Sequence, residues 1–497
     1  MLPLLMSLIP AAWAAPANDT GPVDFCGTFV HHEHAFLENP PPSPPTDDNG
    51  KSLRSYFPPA PHVRTSEHFA VHWGDEVEFT EADAEFLLVT METAWDTFVG
   101  DYGHTPPKDA DLYYLNAYVA GSFEGAPPAI GGTAYHTTDP DGYSFLVYNA
   151  ERLLTERSWV EFVGTHAVYH AMQYAGSPRA WGVQDHWWLE ATAQSMSWRA
   201  LDDESWAIDR LHAFAFYPHL GLSSWERLDY DDTSSMHRYG AYIFVDNLID
   251  VSGTDAVVQT FTERSDAGPF DQVRGILADD GADVDRIWMD TLSRNLTWDY
   301  DNGDAYAAHM QEHADDPDAA FQFAVLVPSG GTEQMQAAPE LLLPGAYGAN
   351  YLRWDDPVPG RYAVHLQLHA MGSAETADHR LAATLVTQNA AGDASYQELP
   401  TDDKSARAEV QIEDDVTRAW VVVGVLTGTP ELKFYEPETF PYTWQVEALP
   451  PVDPVDPIDP EPRGGCGCDQ SGNPAGWLWL GAPLLWLGRR RLRNRSA

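Results

Sequence analysis

Cysteine is scarce, with only Cys26, Cys466 and Cys468 in 497 residues. That excludes a disulfide framework and a cysteine zinc site. Basic residues are scarce as well: 28 Lys and Arg stand against 75 Asp and Glu, a net charge of −47. Such a chain repels nucleic acid and anionic membrane surfaces, and the charge reads as a source of solubility. The apolar run at residues 475–488 is shorter than the ~20 residues a membrane-spanning helix needs. What is present is core material. Apolar residues make up 44% and aromatics 12%, with 18 Trp, enough for two or three domains with real cores.

The two ends have their own textures. Residues 1–14 form an apolar run closed by Ala12-Trp13-Ala14, which predicts a secretory signal. Residues 15–64 hold a proline-rich stretch, NPPPSPPTDDNG, and a histidine tract (His31, His32 and His34) read as solvated. At the other end a Pro/Asp linker over 449–463 precedes a tail, 464–497. The tail carries Cys466-Gly467-Cys468, the short apolar run and an arginine cluster, in that order. This order resembles the C-terminal sorting tag of myxobacteria. The resemblance implies an exported protein held at the outer surface or released after processing, with membrane contact only through the tag.

Between the ends the pattern predicts an α+β chain in two parts, 65–318 and 319–448. In the first part, EHFAVHW, DLYYLNAYVAG and GYSFLVYNA read as strands. Thr80–Phe98 reads as a helix with Thr80 and Asp83 as its start signals. A second helix carries THAVYHAMQYAG, with Ser158 and Glu161 as an expected capping box and Gly176 and Pro178 as its end. A third is expected over about Trp187–Arg199, and more run to Asp315. The second part contains eight short strand-like runs at regular spacing, which predict a β-sandwich.

Four HxxxH pairs occur, where chance alone supplies about 0.7: His68/His72, His166/His170, His309/His313 and His365/His369. Two His four apart on a helix can grip one ion, whereas on a strand they stand ~13 Å apart. His68/His72 and His365/His369 fall in strand-like runs and are set aside. His309-Met310-Gln311-Glu312-His313 matches, as letters, the H-x-x-E-H of inverted zinc peptidases. Its polar surroundings predict a solvated surface helix instead. His166/His170 lie among Val160, Phe162, Val163, Val168, Ala171 and Met172, so their helix should be buried. Twenty residues after His170 comes Glu190, again among apolar neighbours. A buried carboxylate needs a partner, and a metal held by two His would supply one.

THAVYHAMQ followed by WWLEATA resembles the gluzincin zinc metallopeptidases, and over about residues 65–315 and the tail the chain resembles exported metallopeptidase-like proteins of myxobacteria. The resemblance implies zinc held by His166, His170 and Glu190. It also places GYSFLVYNA as the edge strand that binds extended substrate, and it offers His237 and Tyr239 as stabilisers of the oxyanion. The departure is Ala167, which stands where the family carries the glutamate of HExxH. That glutamate takes a proton from the attacking water and returns it to the leaving amine, and its loss typically costs ~10²–10⁴ in rate. Glu161 and Asp185 are poor substitutes. The expectation is a monomeric surface protein that binds zinc and a peptide or protein ligand but turns over poorly. The alternatives are an active endopeptidase with another base, or a surface adhesion protein without catalysis.

Overall fold

The computed structural model describes residues 51–128, 134–139, 141–176, 186–222, 236–262, 269–279, 281–314, 325–369, 379–427 and 439–451. The signal segment, the His31–His34 tract, Asp185, the run ELKFYE and the tail with Cys466 and Cys468 lie outside them. The chain divides into two units, Met1–Pro450 and Pro451–Ala497, and every element named below belongs to the first. Its class is α+β, with helices and several sheets.

Five strands build the first sheet: β1 (His62–Thr65), β2 (Phe69–Trp73), β3 (Leu115–Val119), β4 (Ala134–Thr138) and β5 (Ser144–Tyr148), in the spatial order β1-β2-β3-β5-β4. The central three run parallel, and β1 and β4 close the edges antiparallel. All five residues of β2 and of β3 are buried, as in a parallel sheet covered on both faces. The edge differs from the expectation. GYSFLVYNA supplies β5, which is interior, and the edge strand is β4. The sequence around β4, rich in Gly and Pro, reads as a loop. β1 also begins inside the segment read as linker.

Helix α1 (Glu81–Trp95) starts at the expected capping box. Thr80 Oγ1 accepts from the Asp83 N–H at 3.4 Å and the Asp83 carboxylate accepts from the Thr80 N–H at 3.0 Å. A wide π-helical turn, Asp96–Asp101, carries the element past Phe98. α2 (Ala150–Thr155) then leads almost directly into α3 (Arg157–Gly176). The first backbone bond of α3 runs from Val160 N–H to Glu156 C=O at 3.0 Å. Ser158 is therefore already inside the first turn, and the expected Ser158/Glu161 capping box does not form the start. α4 (His186–Leu201), α5 (Ser205–Ile208), α6 (Leu211–Ala215), α7 (His237–Gly240), α8 (Tyr242–Ser252), α9 (Thr254–Thr262), α10 (Pro269–Asp279), α11 (Val284–Arg294) and α12 (Gly303–His313) complete the helical part. Eleven successive residues of α4, Trp187–Ser197, are buried, which makes it the central helix of this part.

Ten strands follow among the described residues: β6 (Val325–Val327), β7 (Gln336–Ala337), β8 (Gly348–Asp355), β9 (Gly360–Leu368), β10 (His379–Asn389), β11 (Ala394–Glu398), β12 (Thr401–Asp402), β13 (Ser405–Ile412), β14 (Val416–Thr427) and β15 (Tyr442–Ala448). They form two sheets, β11-β10-β14-β8-β6 and β12-β13-β9-β15-β7. Leu352, Trp354, Leu381 and Val421 of the first meet Val364, Val410, Tyr442 and Trp444 of the second in one core. β13 alternates buried and exposed, as a strand with one wet face should. β14 is buried without a break from Ala419 because its other face meets the helices. There Trp420, Val422 and Leu426 join the helical core, and Gly424 lies so close to Met289 of α11 that a Cβ would sit 2.5 Å from its sulfur.

Candidate metal centre

α3 and α4 pack side by side, and their facing sides bring three polar groups into the core. His166 is 2% exposed; His170 and Glu190 are fully buried. Glu190 Oε2 lies 3.0 Å from His166 Nε2 and 3.4 Å from His170 Nε2. The three donor atoms lie within 4.8 Å of one another, and such a group could hold a metal ion. His166 and His170 present their rings edge to face, with centroids 4.7 Å apart. The second oxygen of Glu190, Oε1, has no hydrogen-bond partner among the described residues, and a buried carboxylate in that state is costly unless a cation compensates it. Burial pushes the Glu190 carboxyl upward, but the charge of His170 and the hydrogen bond from His166 outweigh it and hold the group well below the usual carboxylate range. The carboxylate thus sits against imidazole N–H, the position a metal cation would take on displacing that proton, in a buried setting.

A fourth residue orients the set. Gln173 Nε2 donates to the Leu189 carbonyl and to Thr192 Oγ1, each at 2.9 Å. A carbonyl can only accept, so the amide is fixed with Oε1 facing the other way, where it meets His170 Nδ1 at 2.7 Å. His170 therefore carries a proton on Nδ1, and its neutral form, the one a metal would bind, offers the Nε2 lone pair toward Glu190. Sequence reasoning missed Gln173. Its signal was present: a buried amide one turn after His170 on the same face.

Of the expected oxyanion residues, the structure brings one beside the cluster. Tyr239 on α7 is buried, with its ring 6.0 Å from that of His166. His237, also buried, packs its ring on Phe214 at 5.0 Å. Burial, with a smaller effect from His219, pushes its pKa down to about 3. Ala167 is fully buried, and the cluster among the described residues contains no second carboxylate.

The other pairs separate as strand geometry requires. His72 Nε2 bonds Asn116 Oδ1 at 2.7 Å, and His68 Nδ1 bonds Glu92 at 2.7 Å. His365 faces Glu447 on the neighbouring strand, and His369 bonds Thr443 at 3.1 Å. His309/His313 departs from expectation. α12 is not solvated all round: Gly303, Tyr306 and Met310 are buried, and its two histidines meet His212 of α6.

No curated protein matches this sequence. Among solved structures, a family GH115 4-O-methyl-α-glucuronidase with specificity for decorated arabinogalactans aligns at 11% identity and a TM-score of 0.14. The alignment covers 82% of this chain and 54% of that one, so this chain spans about half of that enzyme's length. A TM-score this low assigns no fold. A family model described as a family of unknown function, DUF6055, matches residues 48–448, a range that holds both the sheet-and-helix part and the ten-stranded part, and the chain belongs to that family.

Proposed function

We propose that this is an exported, cell-surface, zinc-binding protein of metallopeptidase type whose turnover is impaired by Ala167. The observation that carries the reading is the convergence of His166, His170 and Glu190. Bonds of about 2.0–2.1 Å to a tetrahedral zinc place neighbouring donors about 3.3 Å apart, and the distances here are 3.0 and 3.4 Å. Two His from one helix turn and a Glu from the next helix match the donor chemistry zinc favours. Bound zinc supplies Lewis-acid polarisation of a carbonyl or a water. The protein's own groups would hold and orient it: Gln173 sets the His170 tautomer, and Tyr239 stands beside His166, where it could donate to a developing oxyanion. The methyl of Ala167 can neither take nor return a proton. Binding is therefore kept while turnover loses the ~10²–10⁴ that general-base catalysis contributes. The surface location rests on the signal-like start and the Cys-Gly-Cys, apolar and arginine order of the tail. The partner is a peptide or protein ligand.

The test is Ala167→Glu, with Ala167→Gln as a control of similar size. Zinc measured by atomic emission should be bound by wild type and both variants, and one equivalent should be lost in His166→Ala. Hydrolysis of a peptide library should rise at least 100-fold in the glutamate variant and stay at the wild-type level in the glutamine variant. A folded, zinc-loaded Ala167→Glu that stays at the wild-type rate would overturn the peptidase geometry. Wild-type protein with no zinc at this cluster would overturn the reading as a whole.

A further inference from the structure

We propose a second transition-metal site at the surface of the helical part, formed by His212 of α6 with His309 and His313 of α12. The donor nitrogens of the three side chains lie within 4.8 Å of one another. His212 Nδ1 and His309 Nε2 face each other at 3.1 Å. The His313 ring stacks on that of His212 at 4.2 Å, tilted by 14°, and stands 4.1 Å from that of His309.

Three features point to a ligand rather than to chance packing. His309 and His313 stand four apart on a helix, so both rings project from one face and can reach a common ion. The Nδ1–H of His313 donates to the His309 carbonyl at 3.0 Å. Its Nε2 is then the free lone-pair nitrogen, as the second shell of a ligating histidine arranges it. The third ring comes from a residue 97 positions away in sequence, so the cluster is assembled by the fold and not by a local histidine tract. Two rings are half-buried and one is exposed, which leaves the outer side of the site open to water. A three-imidazole set with an open position suits Zn²⁺, Ni²⁺, Co²⁺ or Cu²⁺, and with no carboxylate in the set among the described residues it disfavours Mg²⁺ and Ca²⁺.

The site would act as a clamp. Among the described residues α12 is the last helix before the ten-stranded part, and the ion would tie it to α6. α6 in turn lies against α7, where a Cβ on Gly240 would come 2.4 Å from the Arg210 carbonyl. The inference does not depend on the buried cluster of His166, His170 and Glu190.

The test uses the full chain, stripped with a chelator, dialysed and titrated calorimetrically with Zn²⁺. Stoichiometries are read as differences from wild type, so that other metal-binding histidines cancel. His309→Gln and His212→Gln should each lose one equivalent, and exposed His313→Gln should bind that equivalent at least 10-fold more weakly. His166→Ala should keep it. Hydrogen exchange of residues 303–313 gives a local readout: Zn²⁺ should slow it in wild type and in His166→Ala, and not in His212→Gln. Folded variants that keep the wild-type stoichiometry and affinity, or exchange in α12 that ignores Zn²⁺ in wild type, would overturn the site. If His166→Ala keeps the full wild-type stoichiometry while His212→Gln still loses one equivalent, the function proposed above fails and the surface site stands.

Discussion

Gln173 shows how the proposed metal centre is oriented by a residue outside its ligand set. Its amide is held by the Leu189 carbonyl and Thr192, and Thr192 itself donates to the Trp188 carbonyl at 2.6 Å. α4 therefore dictates which nitrogen of His170, on α3, carries the proton. Gln173→Leu keeps the volume but removes the acceptor. Zinc affinity at the buried cluster, measured by competition with a chelator, should fall about 10–100-fold, and Gln173→Glu, which still accepts from Nδ1–H, should recover most of it. An unchanged affinity in Gln173→Leu would mean that packing alone orients the ring. The convergence of His166, His170 and Glu190 was legible in sequence, because a buried carboxylate and two buried imidazoles each demand a partner. The Gln173 contact was not, since an amide finds partners in many ways. His212 was beyond reach altogether: nothing local ties it to His309, and only the packing of α6 on α12 does.

At the scale of elements, the site depends on how closely the helices approach. α7 carries Tyr239 and His237, and its Gly240 sits against α6, with the Arg210 carbonyl 2.4 Å and Phe214 Cβ 2.7 Å from where a side chain would begin. Gly240→Ala should force the two helices apart and cost about 1–3 kcal/mol, read as a lower urea midpoint with an unchanged slope. A neutral result would show that α6 yields easily. Helix starts were readable where side chains cap the backbone locally, as at Thr80 and Asp83. Ser158 and Glu161 have the same spacing yet do not start α3, because α2 delivers the chain in a conformation that lets the helix begin earlier. β4 was unreadable for a related reason: its pairing with β5 comes from the sheet, against local Gly and Pro signals.

At the largest scale, within Met1–Pro450, the helical part and the ten-stranded part are joined at α11. Asp285, 6% exposed, accepts from Tyr347 at 2.8 Å and from Arg274 at 3.3 Å, and pairs with Arg380. It thus binds helix α11 to the ten-stranded part, next to an apolar contact that runs from Trp288 to Trp420 and Leu426 within one core. Asp285→Ala should cost about 1–3 kcal/mol, less than a dry ion pair would because Arg380 is half exposed. Unfolding followed by far-UV circular dichroism and by tryptophan fluorescence should still give one coincident transition. Two separated transitions would show that the halves are independent. Class, most element types and the burial of His166, His170 and Glu190 are encoded locally, in apolar periodicity, in caps and in the need of buried charge for a partner, so the chain alone specifies them. Which strand forms the edge, which amide turns His170 and which third imidazole joins α12 are settled by contacts between segments far apart in the chain. Such contacts leave no local periodicity to read, and only folding brings their partners within bonding distance.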